Sequence, residues 1–166
     1  MKNIRFILII MGILLLGACG TQTSTGEGSN DSAQDLYEGE SIVINDVEFT
    51  QQIDLSDEDS LDVVMQLKNV SQNDITLAFS SGQKMEIVLR NEQGEEVYRY
   101  SEGKMFTMAI ENKTLAPDEH LSFGEYIDVS EFEAGEYTVE LTSLVYEVEG
   151  EEENLNFQEE ITITLP

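Results

Sequence analysis

One cysteine, one histidine, two prolines, no tryptophan and only eight lysines and arginines in 166 residues set the first limits on this chain. A lone cysteine cannot form an internal disulfide, so stability has to come from a hydrophobic core, which a domain of this length is able to bury. Eight basic residues against 34 acidic ones give a net charge of −26. That balance excludes nucleic acid as a partner, because phosphate binding needs clustered Lys and Arg to displace counterions. A single Cys and a single His do not make a zinc ligand set. A Ser-His-Asp constellation would have to use His120, which sits in Pro117-Asp118-Glu119-His120 and reads as part of a solvated turn. No nucleophile elbow and no glycine-rich phosphate loop is present. The expectation is a non-enzymatic protein without a cofactor.

What the chain does have begins at its first residues. Lys2 and Arg5 precede an apolar run from Phe6 to Leu16, broken only by Gly12, and the small residues Gly17 and Ala18 follow. This is the basic, apolar and small-residue succession of an export signal. The run is shorter than the ~20 apolar residues that span a bilayer, which makes a permanent transmembrane helix the weaker reading. Residues 1–18 are therefore assigned as a signal peptide.

Leu16-Gly17-Ala18-Cys19 resembles the lipobox of bacterial lipoproteins. The resemblance implies cleavage before Cys19 and attachment of a diacylglyceryl group to its thiol, and the amine can be acylated as well. Small side chains at positions 17 and 18 let a peptidase reach the backbone, and a thiolate is a suitable nucleophile for the lipid donor. Two acyl chains anchor a protein stably where one binds only marginally. The alternative is an ordinary secretory signal with a cysteine at the boundary by chance. On the lipoprotein reading Cys19 is the lipid-attachment residue and the protein sits on the outer face of the cell membrane. Loss of the leader removes two basic residues and no acid, leaving 148 residues with a formal charge of −28. Repulsion from anionic head groups is confined to about a Debye length, ~8 Å at physiological salt, so the lipid must hold the domain at the surface.

From Gly20 to about Asp35 the chain reads GTQTSTGEGSNDSAQD, with neither aromatic nor β-branched aliphatic side chains. Residues 19–40 are read as the lipidated cysteine and a flexible tether, with a coil reach of roughly 25 Å for about twenty residues. The remainder, residues 41–166, is assigned to one folded domain.

In that domain the apolar period is two. Leu61, Val63, Met65 and Leu67 alternate with neighbours of the opposite face, and so do Ile75, Leu77 and Phe79. The pattern returns at Met85, Ile87 and Leu89, at Leu121 and Phe123, at Tyr137, Val139 and Leu141, and at Phe157, Ile161, Ile163 and Leu165. Turn residues separate the runs, among them Ser80-Ser81-Gly82, Glu92-Gln93-Gly94, Pro117-Asp118 and Ala134-Gly135. Half-buried strands at this spacing predict an all-β, immunoglobulin-like antiparallel β-sandwich of seven to nine strands. A closed barrel would give the same alternation. Gly135-Glu136-Tyr137 also resembles the tyrosine corner of immunoglobulin-like folds, in which the hydroxyl returns to nearby backbone.

The central stretch carries a further resemblance. Ser80-Ser81-Gly82-Gln83-Lys84-Met85-Glu86-Ile87-Val88-Leu89, Gly94, Val97-Tyr98-Arg99-Tyr100-Ser101, Lys104-Met105-Phe106-Thr107 and Leu115-Ala116-Pro117 follow in the order and spacing of the BsuPI intracellular proteinase inhibitor family. Leu67-Lys68-Asn69-Val70-Ser71 fits its opening segment, so the likeness runs from about Leu61 to Gly135. The chain departs from that pattern at Met85-Glu86, where the family has an aromatic and Asp, at Tyr98 and Tyr100, where it has Trp, and at Asp118, where it has Gly. The resemblance implies a domain that binds serine proteases of the subtilisin type. It also implies an intracellular setting, which the leader and Cys19 contradict.

A protein inhibitor of this kind presents an extended segment to the protease cleft. The segment that combines aromatic and basic residues is Tyr98 to Phe106, with Tyr98, Arg99, Tyr100, Lys104, Met105 and Phe106 as candidate partner-binding residues and Ser101-Glu102-Gly103 as a turn. Tyr and Arg are the residue types that most often dominate interface energies. The competing reading makes the apolar members core or cross-strand packing residues and lets Arg99 and Lys104 balance neighbouring carboxylates. A non-inhibitory binding or adhesion module of the cell envelope is the functional alternative, since sandwiches host many functions.

Calcium is the one metal the composition brings into question. Asp54-Leu55-Ser56-Asp57-Glu58-Asp59 and the glutamates Glu147, Glu149, Glu151, Glu152 and Glu153 around Gly150 are rich in hard oxygen donors. Neither follows the EF-hand spacing, and charge runs of this kind are ordinarily solvated loops.

Overall fold

The computed structural model describes residues 35–57 and 59–166; the leader, Cys19 and the greater part of the tether lie outside them. The described residues form twelve strands and no helix. They are β1 (Asp35–Glu38), β2 (Ile42–Ile44), β3 (Val47–Asp57), β4 (Ser60–Asn69), β5 (Ile75–Phe79), β6 (Met85–Asn91), β7 (Glu96–Arg99), β8 (Glu111–Leu115), β9 (His120–Asp128), β10 (Gly135–Ser143), β11 (Val145–Val148) and β12 (Gln158–Leu165).

Every pairing between these strands is antiparallel. One sheet runs β1-β3-β4-β9 with β2 also on β3, a second runs β12-β10-β6-β7, and a third runs β11-β5-β8. No described sheet closes on itself, which removes the closed barrel. The strand count exceeds the predicted seven to nine because β1, β2, β7, β8 and β11 are only three to five residues long. Such strands are held by backbone pairing to a neighbour and need no long apolar alternation of their own. Asp35–Glu38, at the end of the segment read as tether, is one of them: it pairs along β3 from Asp35 opposite Leu55 to Glu38 opposite Gln52.

The period-two runs turn their apolar faces to one core. Val47, Phe49 and Ile53 of β3, Leu61, Val63, Met65 and Leu67 of β4, Ile87 and Leu89 of β6, and Val139 and Leu141 of β10 are all buried within it. Phe49 meets Phe157 edge-on with ring centroids 6.0 Å apart, which joins the first sheet to the segment leading into β12. Leu121 and Phe123 alternate like the rest yet are only partly buried, because β9 is the open edge of its sheet.

Two polar devices tie the elements together. Asn69, fully buried at the end of β4, donates its amide to the carbonyls of Asn73 (2.7 Å) and Leu115 (2.9 Å) and accepts from the Ser71 N–H (2.8 Å). It therefore fixes the β4–β5 turn and the end of β8 from inside the protein, with both amide hydrogens and the side-chain oxygen engaged. The Tyr137 hydroxyl donates to the Glu133 carbonyl four residues upstream, at 2.8 Å, while its ring packs against Phe132 at 5.9 Å. This is the hydrogen bond that the tyrosine-corner resemblance implied.

Tight turns follow the residues that allow them. Asn45 and Asp46, both with positive φ (49° and 61°), connect β2 to β3. That conformation matches the right-handed twist of a two-residue hairpin.

Candidate functional site

The segment Tyr98 to Phe106 lies where the second sheet ends. β7 is its edge strand, paired to β6 with Arg99 opposite Val88 and Tyr98 opposite Leu89. The chain then turns twice. Glu102 N–H donates to the Arg99 carbonyl (3.1 Å) and Lys104 N–H to the Ser101 carbonyl (3.2 Å), with Gly103 at φ 71°. From Lys104 to Ile110 the chain has no regular secondary structure and no positive φ, before β8 takes it back to β5.

The two tyrosines are half-buried and pack against the core. Burial, with the carboxylate of Glu125 next in weight, pushes the Tyr98 phenol up to about 12. Tyr100 supports the loop. The Lys104 ammonium lies 3.6 Å from the centre of its ring, and the Phe106 ring packs on it at 6.0 Å.

Neither candidate cation is free. Arg99 makes a two-pronged pair with Glu96 at 2.8 and 2.6 Å and approaches Glu86 at 3.8 Å. The Arg99 hydrogen bonds hold the Glu96 carboxyl below its ordinary range. Lys104 pairs with Glu125 of β9 at 2.8 Å. Both cations act within the fold, where they locate backbone and aromatic groups.

Further ties fix the base of the loop. Ser101 N–H donates to the Glu86 carboxylate (3.0 Å), Tyr100 N–H to the Ile87 carbonyl (2.9 Å), and Gly82 N–H to the Thr107 carbonyl (2.9 Å). Lys84 pairs with Glu111 (2.8 Å), also donates to the Ser81 carbonyl (3.1 Å), and sits over the Phe79 ring at 4.7 Å. The Lys84 hydrogen bond lowers the Glu111 pKa. Anchored in this way, the loop holds its apolar side chains out in solvent: Met105 is 99% exposed, Met108 91% and Ile110 66%. Met105 belonged to the candidate set. Met108 and Ile110 did not, although Met105-Phe106-Thr107-Met108-Ala109-Ile110 is an apolar stretch without strand alternation, a signal visible in the sequence.

A tied base carrying several exposed apolar side chains presents a surface that can make contact without first being ordered. The chain matches the BsuPI family, described as intracellular proteinase inhibitor, over residues 47–148. That span is well over half of the chain and runs from the first residue of β3 to the last of β11. The chain belongs to the BsuPI family. The BsuPI match includes the whole anchored loop and leaves β1, β2 and β12 as additions around it.

No curated protein matches the chain. Among solved structures it is similar to β-glucosidase 3B from Thermotoga neapolitana in complex with α-D-glucose, at 14% identity and a TM-score of 0.32. That alignment covers 80% of this chain but 16% of the glucosidase, so the chain spans about a sixth of that protein's length. It is also similar to the structural-genomics target SoR45, at 10% identity and a TM-score of 0.28, covering 83% of this chain and 86% of the other.

The remaining sequence candidates are separated by the fold. His120 opens β9, exposed and opposite Lys68, and is not part of the turn itself. Asp54 and Leu55 belong to β3, with Leu55 in the core. Glu149 accepts from the Thr76 N–H and shares a tight turn with Gly150. Among the described residues no group of three or more acidic, His or Cys side chains is placed to hold a metal ion.

Proposed function

We propose that this BsuPI domain binds and inhibits a serine protease of the subtilisin type through the loop Tyr100–Ile110, and that it does so on the outer face of the cell membrane, anchored by lipid on Cys19. The observation that carries the reading is the loop itself. Its base is fixed by Tyr100, Lys104 and Thr107, and Met105, Met108 and Ile110 stand in solvent. Exposed apolar residues are normal singly, but three within six residues on a tied-down loop mark a surface built for contact. Tyr137 and its bond to the Glu133 carbonyl support an immunoglobulin-like sandwich as the scaffold. The leader and the lipobox-like Leu16-Gly17-Ala18-Cys19 support an exported copy of a domain whose family is described as intracellular. The target would then be an extracytoplasmic protease.

The test of inhibition is a titration of subtilisin activity with the full chain in detergent. Inhibition at or below micromolar inhibitor is expected, and full protease activity at micromolar excess rejects the function. The test of location is Cys19→Ala. The variant should leave the membrane fraction or accumulate as uncleaved precursor, whereas normal processing with unchanged membrane retention excludes lipid anchoring.

A further inference from the structure

We infer that Met105 is the side chain that fills the primary specificity pocket of the bound protease, and that the partner is therefore a protease with an apolar pocket open to a long unbranched side chain. This rests on the loop being the protease-binding element and adds which residue is read and what reads it.

Met105 has a position no other loop residue shares. Both of its neighbours are held by one ring: Lys104 places its ammonium 3.6 Å from the centre of Tyr100, and Phe106 stacks on the same ring at 6.0 Å. Lys104 and Phe106 are both held against the Tyr100 ring, whereas Met105 between them has no such contact and turns to solvent. Its 99% exposure is the result. The main chain is tied on each side as well, by Lys104 N–H to the Ser101 carbonyl and by the Thr107 carbonyl to Gly82 N–H. With the main chain already tied on both sides, binding has to order only the Met105 side chain and not the loop.

The alternatives fall short for stated reasons. Lys104 and Arg99, which would suit a protease with an acid-lined pocket, spend their charge on Glu125 and Glu96. Met108 is exposed but lies beyond the Thr107 tie, and no ring clamps both of its neighbours. Ile110 is β-branched at Cβ, which stiffens it, and adjoins Glu111 at the start of β8. Methionine itself is unbranched and has three rotatable bonds, so it adapts to a deep apolar pocket.

The experiment uses the full chain in detergent, with subtilisin as the protease of apolar pocket and trypsin as the protease of acidic pocket. Met105→Ala should weaken inhibition of subtilisin about tenfold or more, the scale of an interface anchor, with an unchanged thermal transition. Met105→Lys should lose subtilisin and gain trypsin. Met108→Ala should cost less than Met105→Ala. Prolonged incubation should yield one slow cut, water adding across the Met105–Phe106 peptide bond to give a new carboxylate and a new amine, as read by mass spectrometry. Wild-type inhibition that survives Met105→Ala, or that is lost instead in Met108→Ala, or a cut elsewhere in the loop, overturns the assignment while the inhibitory function stands. A wild-type chain that inhibits neither protease removes the function and this inference with it.

Discussion

The ammonium of Lys104 lies over the ring of Tyr100, 3.6 Å from its centre, while bonding the Glu125 carboxylate at 2.8 Å. A single side chain thus links the loop after β7 to the edge strand β9 of another sheet, and the ring beneath it is shared with Phe106. Tyr100→Leu keeps an apolar side chain but removes the aromatic face from both partners. We expect a stability loss of about 1–2 kcal/mol from the cation–π and ring contacts together, and weaker protease inhibition. Urea unfolding and an inhibition titration of the same variant measure both. A variant as stable as wild type would show that the clamp carries no energy.

Asn69 offers a sharper test of the interior. Asn69→Leu keeps the branched shape but removes the donor to the Leu115 carbonyl and the acceptor for the Ser71 N–H, while the Asn73 carbonyl keeps the Ser71 hydroxyl. A buried group left unpaired costs about 1–3 kcal/mol, and the Leu115 carbonyl is the buried one, so the variant should be destabilised by about that amount. Asn69→Asp keeps the acceptor for Ser71 but loses both amide donations, and should be destabilised too. Wild-type urea midpoints in both variants would refute the role given to this amide.

Tyr137→Phe removes one hydrogen bond and keeps the ring against Phe132. The expected cost is about 0.5–1.5 kcal/mol. Because the ring packing stays, the urea m-value should be unchanged and only the midpoint should move. A shifted m-value would point instead to loss of compactness.

Tyr98 makes a prediction at alkaline pH. Its phenol is raised from 10.0 to about 12, first by burial and then by Glu125, Tyr100 and Glu86. A raised acid favours the folded state while it stays protonated, so its contribution is complete below pH about 10 and is lost as pH climbs through about 12. Absorbance titration at 295 nm should show a tyrosine step near pH 12 that is missing in Tyr98→Phe. A wild-type titration finished near pH 10 would contradict the burial assigned to this ring.

Much of the fold could be read from residue order. The period-two runs in β4, β5, β6, β10 and β12 place Leu61, Leu77, Ile87, Val139 and Ile163 in the core as expected. The turn residues fall where the chain reverses, as at Glu92-Gln93-Gly94, where Gly94 has φ 77°. The strands that escaped notice share a physical cause. β8, Glu111-Asn112-Lys113-Thr114-Leu115, buries only Leu115 and is a strand because its backbone pairs with β5. Edge strands of this kind have a solvated face and carry no apolar signature.

The candidate site was legible only in part. Residue types marked out Tyr98 through Phe106, but type alone cannot say whether an aromatic or a cation faces the core, a neighbour or a partner. Tyr98 and Tyr100 turn to the core, Arg99 and Lys104 turn to carboxylates, and Met105 turns to water. Glu125 and Gly82 hold the loop from elements distant in sequence, and no local pattern announces either one.

By itself the sequence determined the all-β class, the dominance of one apolar core, the acidic surface and the family, because side-chain period, composition and motif spacing are properties of the chain read in order. The three-sheet pairing, the clamp on Tyr100 and the exposure of Met105 were decided only by the tertiary structure. They depend on which distant residues meet, and that follows from the packing of the whole domain.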